Sequence, residues 1–268
     1  MDLITVDFET YYDKDFSLRK VTTEAYIRDP QFEVIGVGVK VNDGQTEWAS
    51  GTHEQIKSYL HTFDWADAML LCHNTLFDGA ILAWIFDVRP RVLADTLCIA
   101  RALHGVEVGG SLHALTQRYN LGTKGTEVLD AKGKHRLDFT PEELGRYGDY
   151  CINDVELTYK LFMKMAKGFP RQEMRIIDMT LRMFTEPMLD LDIGLLRQHL
   201  ENTKKIKEDL ITSSGVTREQ LMSNPKFAEL LVSMNVEPPM KTSLTTGKET
   251  YAFAKNDEAF KALQEHDD

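Results

Sequence analysis

Four acidic residues and one tyrosine, spread over three short segments, have the side-chain types that metal-dependent chemistry needs. They are Asp7, Glu9, Asp78, Tyr150 and Asp154. Asp78 and Asp154 both interrupt the apolar stripes of predicted helices, and acids are almost never buried without a partner. A divalent cation shared by these carboxylates is the simplest explanation, because hard oxygen ligands suit Mg²⁺ or Mn²⁺.

The first two acids lie on a predicted strand that opens the chain. Side chains alternate between the two faces of a strand, so Ile4, Val6 and Phe8 point to one side and Asp7 and Glu9 to the other. The two carboxylates therefore lie side by side near the end of the strand. By itself, such a pair is also typical of a solvent-facing strand edge.

The second and third segments are predicted to be helical. Asp78 follows Asn74 at the start of one helix, and Tyr150 and Asp154 lie four residues apart on one face of another. Each has an ordinary explanation, because Asn is a favoured N-cap, Asp is tolerated in a first turn and a Tyr–Asp pair can belong to a solvated face. Chance rarely supplies all three segments in the order strand, helix, helix.

Phosphodiester hydrolysis is a reaction that these residue types can perform. It needs a deprotonated water, in-line attack and relief of charge on the leaving oxygen, and two divalent ions about 3.5–4 Å apart provide all three. The protein must add a bridging carboxylate, further acids on either side and a group that orients the water. The four acids and Tyr150 are of the right kinds.

The surrounding sequence predicts an α/β fold with a mixed sheet, because strands come first and then alternate with helices. The predicted elements are a hairpin over 32–50, a helix over 53–61, a strand over 69–72, helices over 75–85, 111–119, 140–167 and 171–184, and a loop over 122–133. Thr140, Pro141 and Glu143 form a capping-box pattern with proline at the first helical position, so the helix of Tyr150 should begin there.

The sequence changes character near Pro187. Residues 188–193 alternate as in a strand, charged helices follow over about 195–211 and 225–234, and 238–248 is predicted to be a loop or mobile arm because it is rich in Thr, Ser, Gly and Lys. We expect one domain over 1–187 and a mostly helical segment over 188–268.

Composition favours a soluble globular protein. The 268 residues are 43% hydrophobic and 27% charged, and the longest apolar run, 80–86, is too short to cross a bilayer. We expect no secretory signal, because no basic segment precedes an apolar run near Met1. Cys72, Cys98 and Cys151 form no C-x-x-C motif, which indicates a reducing cytoplasm and no zinc site.

The net charge of −11 is unfavourable for a nucleic-acid partner, because Lys and Arg normally neutralise phosphates. Metal-binding carboxylates contribute to that charge, however, and a bound divalent ion reverses its sign locally. Two basic series could contact a DNA backbone, although a solvated face is the commoner explanation. They are Arg118, Lys124, Lys132, Lys134 and Arg136, and Lys160, Lys164, Lys167, Arg171 and Arg175.

Together the three segments resemble the 3′-to-5′ proofreading exonuclease domain of family A DNA polymerases, particularly those of bacteriophages. The matching motifs are Asp7-Phe8-Glu9-Thr10, Asn74-Thr75-Leu76-Phe77-Asp78 and Tyr150-Cys151-Ile152-Asn153-Asp154. The tyrosine four residues before the last acid resembles the tyrosine branch of these nucleases. Residues 180–187 and 252–260 more loosely resemble the segment that leads into a polymerase thumb.

The resemblance implies a ribonuclease-H-like mixed sheet flanked by helices and a site for two Mg²⁺ or Mn²⁺ ions. It implies that Asp7 bridges both ions, that Glu9 and Asp154 complete the site of the attacking water, and that Asp78 supports the second ion. Tyr150 would orient the water. The residues that would contact or brace the terminal nucleotide are Thr10, Asn74 and Phe77.

The implied substrate is single-stranded DNA or a primer 3′ end, and the implied partner is a polymerase domain in a longer protein. We expect a monomer in a bacterial or phage-infected cytoplasm, without membrane association and without nucleotide incorporation by residues 1–268. Two alternatives stay open: a 3′ exoribonuclease of the same fold, and a non-catalytic DNA-binding or docking module. The presence of all four acids and Tyr150 counts against the second.

Overall fold

A computed structural model describes residues 1–123, 131–243 and 246–263. It divides the chain into two compact units, Met1–Met188 and Leu189–Asp268. Most of the loop predicted over 122–133 lies outside the described residues. None of the described helices is long and apolar enough to cross a membrane.

A five-stranded mixed sheet forms the centre of the first unit, in the order β3-β2-β1-β4-β5. The strands are β1 (Asp2–Thr10), β2 (Val34–Val41), β3 (Glu47–Ala49), β4 (Ala68–Cys72) and β5 (Val92–Asp95). β2 is antiparallel to β1 and β3, whereas β4 is parallel to both β1 and β5. The mixed sheet and the hairpin of β2 and β3 confirm the sequence predictions.

Seven helices surround this sheet among the described residues. They are α1 (Thr23–Arg28), α2 (His53–Leu60), α3 (Thr75–Trp84), α4 (Thr96–His104), α5 (Leu112–Arg118), α6 (Pro141–Met165) and α7 (Arg171–Thr185). The helices predicted over 53–61, 75–85, 111–119, 140–167 and 171–184 are confirmed. α1, β5 and α4 were not predicted; α1 and β5, with six and four residues, are too short to show hydrophobic periodicity.

The alternation along β1 separates two hydrophobic cores. Ile4, Val6 and Phe8 pack in a core that includes residues of α2 and α3. Leu3 packs on the other side, against a core that includes residues of α4, α5 and α6. Helices therefore cover both faces of the sheet, and the face of Asp7 and Glu9 is the one that α6 covers.

The close approach of α6 to the sheet depends on a glycine in β2. A Cβ atom on Gly38 would lie 2.9 Å from Val155 and 3.0 Å from the Cys151 sulfur, so a larger residue would push the helix away. Lys40, also on β2, is buried and its Nζ pairs with Glu156 of α6 at 2.7 Å. These contacts fix the position of α6 along the strand.

The predicted start of α6 is also confirmed. The Thr140 hydroxyl accepts the Glu143 N–H at 3.2 Å, and the Thr140 N–H donates to the Glu143 carboxylate at 2.9 Å. With Pro141 at the first helical position, this capping box satisfies backbone donors that a helix end otherwise leaves open.

The second unit contains four helices and a two-stranded hairpin among its described residues. They are α8 (Ile193–Ser213), α9 (Arg218–Met222), α10 (Asn224–Ser233), α11 (Glu258–Ala262), β6 (Met240–Thr242) and β7 (Glu249–Tyr251). The helices predicted over 195–211 and 225–234 are confirmed.

Two predictions for this unit were wrong. Residues 188–193 alternate in sequence but form no strand, because Asp192 instead caps α8 by accepting the Leu195 N–H at 2.9 Å. The segment 238–248 is not simply a loop, because β6 within it pairs with β7 in an antiparallel register.

Candidate active site

The candidate acids of β1 lie beside two glycines of the neighbouring strand. Asp7 pairs in register with Gly38, and Glu9 pairs with Gly36. A register shift after Glu9, at Thr10, ends the regular pairing there. The missing side chain of Gly38 leaves room for α6 over Asp7, whereas the space at Gly36 is occupied by the ring of Trp48.

Two residues on one face of α6 each contact one of the two acids of β1. The Tyr147 hydroxyl donates a 2.5 Å hydrogen bond to Glu9, and the Cys151 sulfur lies 3.6 Å from the Asp7 carboxylate and 3.4 Å from the Asp7 carbonyl oxygen. Tyr147 and Cys151 are four residues apart on a helix, which is a rise of about 6 Å, and Asp7 and Glu9 are two residues apart on a strand, which is about 6.7 Å. The two contacts can therefore form side by side.

Asp78 approaches the same acids from α3, on the other side of β1. Its side chain is 3% exposed, and its Oδ1 accepts the backbone N–H of Phe8 at 3.0 Å. Burial, followed by the neighbouring Asp7 carboxylate, raises the pKa of Asp78 well above its usual value. A bound cation would reverse this effect, because it favours the charged carboxylate.

Tyr150 and Asp154 are buried together on α6 and form a side-chain hydrogen bond. Burial, followed by the charge of Asp154, raises the pKa of Tyr150, so its hydroxyl keeps its proton. The ring of Tyr150 stacks with that of Tyr147 at a centroid distance of 6.2 Å. The site thus contains a fixed, protonated hydroxyl beside a carboxylate.

The three predicted substrate residues lie at the ends of β1 and β4. The Thr10 hydroxyl is 3.0 Å from the hydroxyl of Tyr26, whose ring lies 6.0 Å from that of Phe77. Asn74 is exposed at the N-cap of α3 with φ of 75°, and its side chain makes no capping hydrogen bond. Its backbone N–H instead donates to Asp95 at 3.1 Å.

Sequence reasoning assigned no role to Tyr147, Cys151 or Asp95. The four-residue spacing of Tyr147 and Cys151 repeats that of Tyr150 and Asp154, which was a usable signal for a second row on the same helix. Asp95 gave no such signal, because it ends the unpredicted strand β5. It is 1% exposed and accepts backbone N–H groups from the starts of both α3 and α4.

The donor groups at this site fit a divalent cation. Asp7, Glu9 and Cys151 offer ligand atoms that all lie within 4.8 Å of one another. Carboxylate oxygens suit Mg²⁺ and Mn²⁺, whereas a thiol is a softer ligand. Asp78 and Asp154 extend the carboxylate set, because both lie close enough to their neighbours to shift a pKa.

The family of this chain follows from its sequence. A family model described as 3′-5′ exonuclease matches residues 2–169, a range that contains every candidate residue of the site. The chain belongs to this 3′-5′ exonuclease family. No match was found among curated proteins.

Solved structures of low sequence identity share the fold. Brucella melitensis NrnC is 13% identical, with 71% of this chain and 89% of NrnC covered and a TM-score of 0.50. NrnC bound to pGG is also 13% identical, with 68% and 81% covered and a TM-score of 0.50. Trypanosoma brucei RNase D in complex with RNA U12 is 12% identical, with 70% and 66% covered and a TM-score of 0.51. At these identities the likeness establishes the fold alone, and the expected ribonuclease-H-like exonuclease fold is confirmed.

Proposed function

We propose that this 3′-5′ exonuclease removes nucleotides from single-stranded or mismatched DNA 3′ ends, as the proofreading domain of a family A DNA polymerase of phage type. The observation that supports it best is the convergence of Asp7, Glu9 and Asp78 at β1, with Tyr150 and Asp154 facing them from α6. The proposal includes two Mg²⁺ or Mn²⁺ ions.

The proposal extends to the rest of the protein. Residues 188–268 begin a thumb-like segment, and a polymerase domain in a longer chain is the partner. The protein acts as a monomer in a bacterial or phage-infected cytoplasm.

The four acids would hold the ions, which when bound supply an acidic water and relief of charge on the leaving oxygen. The Tyr150 hydroxyl, held by its hydrogen bond to Asp154, would accept a hydrogen bond from the attacking water and so orient it. Tyr147 fixes the rotamer of Glu9 through its 2.5 Å hydrogen bond. Thr10 and Phe77 contact the terminal nucleotide, and the exposed Asn74 braces the same end of the site.

RNA is the second candidate substrate. The RNase D structure that shares this fold is a complex with RNA U12. The three motifs of this chain do not by themselves distinguish a DNA substrate from an RNA substrate, which differs by a 2′-hydroxyl group. We favour DNA because the three motifs and their order resemble those of polymerase exonuclease domains.

Digestion of 5′-labelled DNA and RNA oligonucleotides of matched sequence tests the proposal. We expect shortening of the DNA from its 3′ end. EDTA should stop the reaction, and Mg²⁺ or Mn²⁺ should restore it far better than Ca²⁺, which prefers looser and higher coordination. Activity that persists in excess EDTA would refute the metal site. Faster digestion of RNA would identify an exoribonuclease, and binding without cleavage would identify a docking module.

A primer-template with a paired or a mismatched terminus tests the proofreading role. The mismatched end should be trimmed faster, because a paired end must first lose pairing and stacking worth a few kcal/mol. Equal trimming of the two ends would contradict proofreading. Added deoxynucleotides should give no extension by residues 1–268, and extension would contradict the domain assignment.

A further inference from the structure

A cavity of about 700 Å³ opens beside the end of β1. Its walls come from α1 and the loop after it, the start of α2, the end of α3 and the residues Arg136 and Leu137. Val34 lines this cavity and is the register partner of Thr10, the residue that follows Glu9. Paired strand residues are about 5 Å apart, so the cavity wall adjoins the backbone of the candidate acids.

Two arginines give this cavity the chemistry of a nucleotide site. The guanidinium of Arg28 lies 4.6 Å from the ring centre of Trp84, and its Nε is held by Glu24 at 3.1 Å. A guanidinium fixed in this way can stack a base on its other face. Arg136 is half-buried at the rim, and its guanidinium forms no ion pair among the described residues.

Two acids also line the cavity, but donors of the chain itself occupy them. The Asp29 carboxylate accepts the N–H of Gln31 at 2.8 Å. The Glu33 carboxylate is 2.6 Å from His135 and accepts the Arg136 N–H at 3.3 Å. These contacts hold both carboxylates in place without cancelling their charge, so contact with a phosphate depends on Arg136, which has an ion pair with neither acid, while Arg28 offers its flat face for stacking.

We propose that this cavity binds an internal nucleotide of a single strand whose 3′-terminal nucleotide lies at the acids of β1. Arg28 stacks the unpaired base and Arg136 contacts its phosphate. The volume is in the range of about 300–1,000 Å³ typical of small-molecule sites, which suits one nucleotide and is too small for a duplex. The inference rests on the proposed exonuclease function and names the path of its substrate.

Length dependence tests the proposal, because only a strand of several nucleotides can occupy both places. The variants are Arg28→Ala, Arg136→Ala and the control Arg91→Ala. Like Arg28, Arg91 is exposed and ion-paired, with Asp67 at 2.8 Å, but it precedes β5 at the other edge of the sheet. Hydrolysis of a DNA dinucleotide and octanucleotide gives kcat/KM for each, and fluorescence anisotropy in EDTA gives the octanucleotide Kd without cleavage.

We expect Arg28→Ala and Arg136→Ala each to weaken octanucleotide binding and to lower kcat/KM for the octanucleotide by about tenfold. Both variants should hydrolyse the dinucleotide at the wild-type rate, and Arg91→Ala should behave as the wild type with both substrates. Arg136→Ala should also reduce the slope of log Kd against log salt concentration by about 0.7, the value for one lost phosphate contact with a single strand. Equal losses for the two substrates, or wild-type binding by both variants, would overturn the cavity assignment. Absence of hydrolysis by the wild type would instead refute the exonuclease proposal, and the anisotropy and salt slope would still decide the cavity.

Discussion

Asp7 interacts with groups on both α3 and α6. Its carboxylate lies 3.6 Å from Cys151, and its charge contributes to the raised pKa values of Asp78 and Tyr150. It is also the acid for which the family resemblance implies a bridge between two ions. Replacing it should therefore change chemistry far more than packing.

We predict that Asp7→Asn lowers the single-turnover rate of DNA hydrolysis by at least about 1,000-fold, since a lost metal ligand costs about 4 kcal/mol of transition-state stabilisation. The melting temperature in EDTA should not fall, because the substitution removes one of several crowded negative charges. Asp2→Asn, at the exposed start of the same strand, is the control and should cleave normally. Near-normal cleavage by Asp7→Asn would refute the site.

The two tyrosines of α6 should have separable effects. Tyr150→Phe removes the hydroxyl that orients the water, so we predict a rate loss of about 100- to 10,000-fold that saturating Mn²⁺ does not repair. Tyr147→Phe only frees the carboxylate of Glu9, so its main effect should be a 10- to 100-fold increase in the metal concentration for half-maximal activity.

Metal titrations of hydrolysis by the two variants distinguish these roles. Identical titration curves would mean that one of the two tyrosines is assigned to the wrong role. Tyr119→Phe is the matched control, because it removes a tyrosine hydroxyl that is hydrogen-bonded to His104 outside the site.

At the scale of elements, the site depends on how closely α6 approaches β2. We predict that Gly38→Val destabilises the protein by about 1–3 kcal/mol through overpacking, because its first added carbon would already lie 2.9 Å from Val155. Hydrolysis should fall by more than the unfolded fraction explains, because the same shift moves Tyr147 and Cys151 away from the acids. Urea unfolding and hydrolysis of the folded protein measure the two effects.

Gly145→Ala is the control for this element. It lies in α6, but an added Cβ would meet nothing within 4 Å. Removing a helical glycine there should stabilise the protein by roughly 0.5–1 kcal/mol and leave hydrolysis unchanged. If Gly38→Val retained wild-type activity per folded molecule, the close approach of α6 would not position the site.

Local signals in the sequence were sufficient to predict most elements of the first unit. The capping box at Thr140 and the alternation along β1 are properties of a few neighbouring residues, and both predictions hold. The alternation over 188–193 failed because it had no neighbouring strand, whereas Asp192 could cap a helix at once. The contact of Tyr147 with Glu9 spans 138 residues, so it could not be read before the docking of α6 was known.

At the scale of the whole molecule, the crowded acids link cation binding to folding stability. The pKa of Asp78 is raised in the folded protein, so the folded state holds its proton at pH values where the unfolded state has lost it. The stabilisation from this proton is complete below the unfolded pKa of about 4 and is lost as the pH rises toward the folded value. A bound cation removes the penalty for the charged form.

We therefore predict that Mg²⁺ or Mn²⁺ raises the melting temperature relative to EDTA, and that this difference grows as the pH rises from about 5 to 8. At 100 times the dissociation constant, the cation should add about 2.7 kcal/mol. Asp78→Asn should raise the stability in EDTA at the higher pH and reduce the response to the cation. A cation response that is independent of pH, and equal in Asp78→Asn, would contradict the linkage.

The separation of β1 and α6 along the chain has a consequence for biosynthesis. The chain grows from its N-terminus, so Asp7 and Glu9 are made first, while their contacts at Tyr147 and Cys151 follow 138 and 144 residues later. Contacts this distant close late and slowly. The candidate site is therefore complete only after α6 has emerged from the ribosome and docked on the sheet.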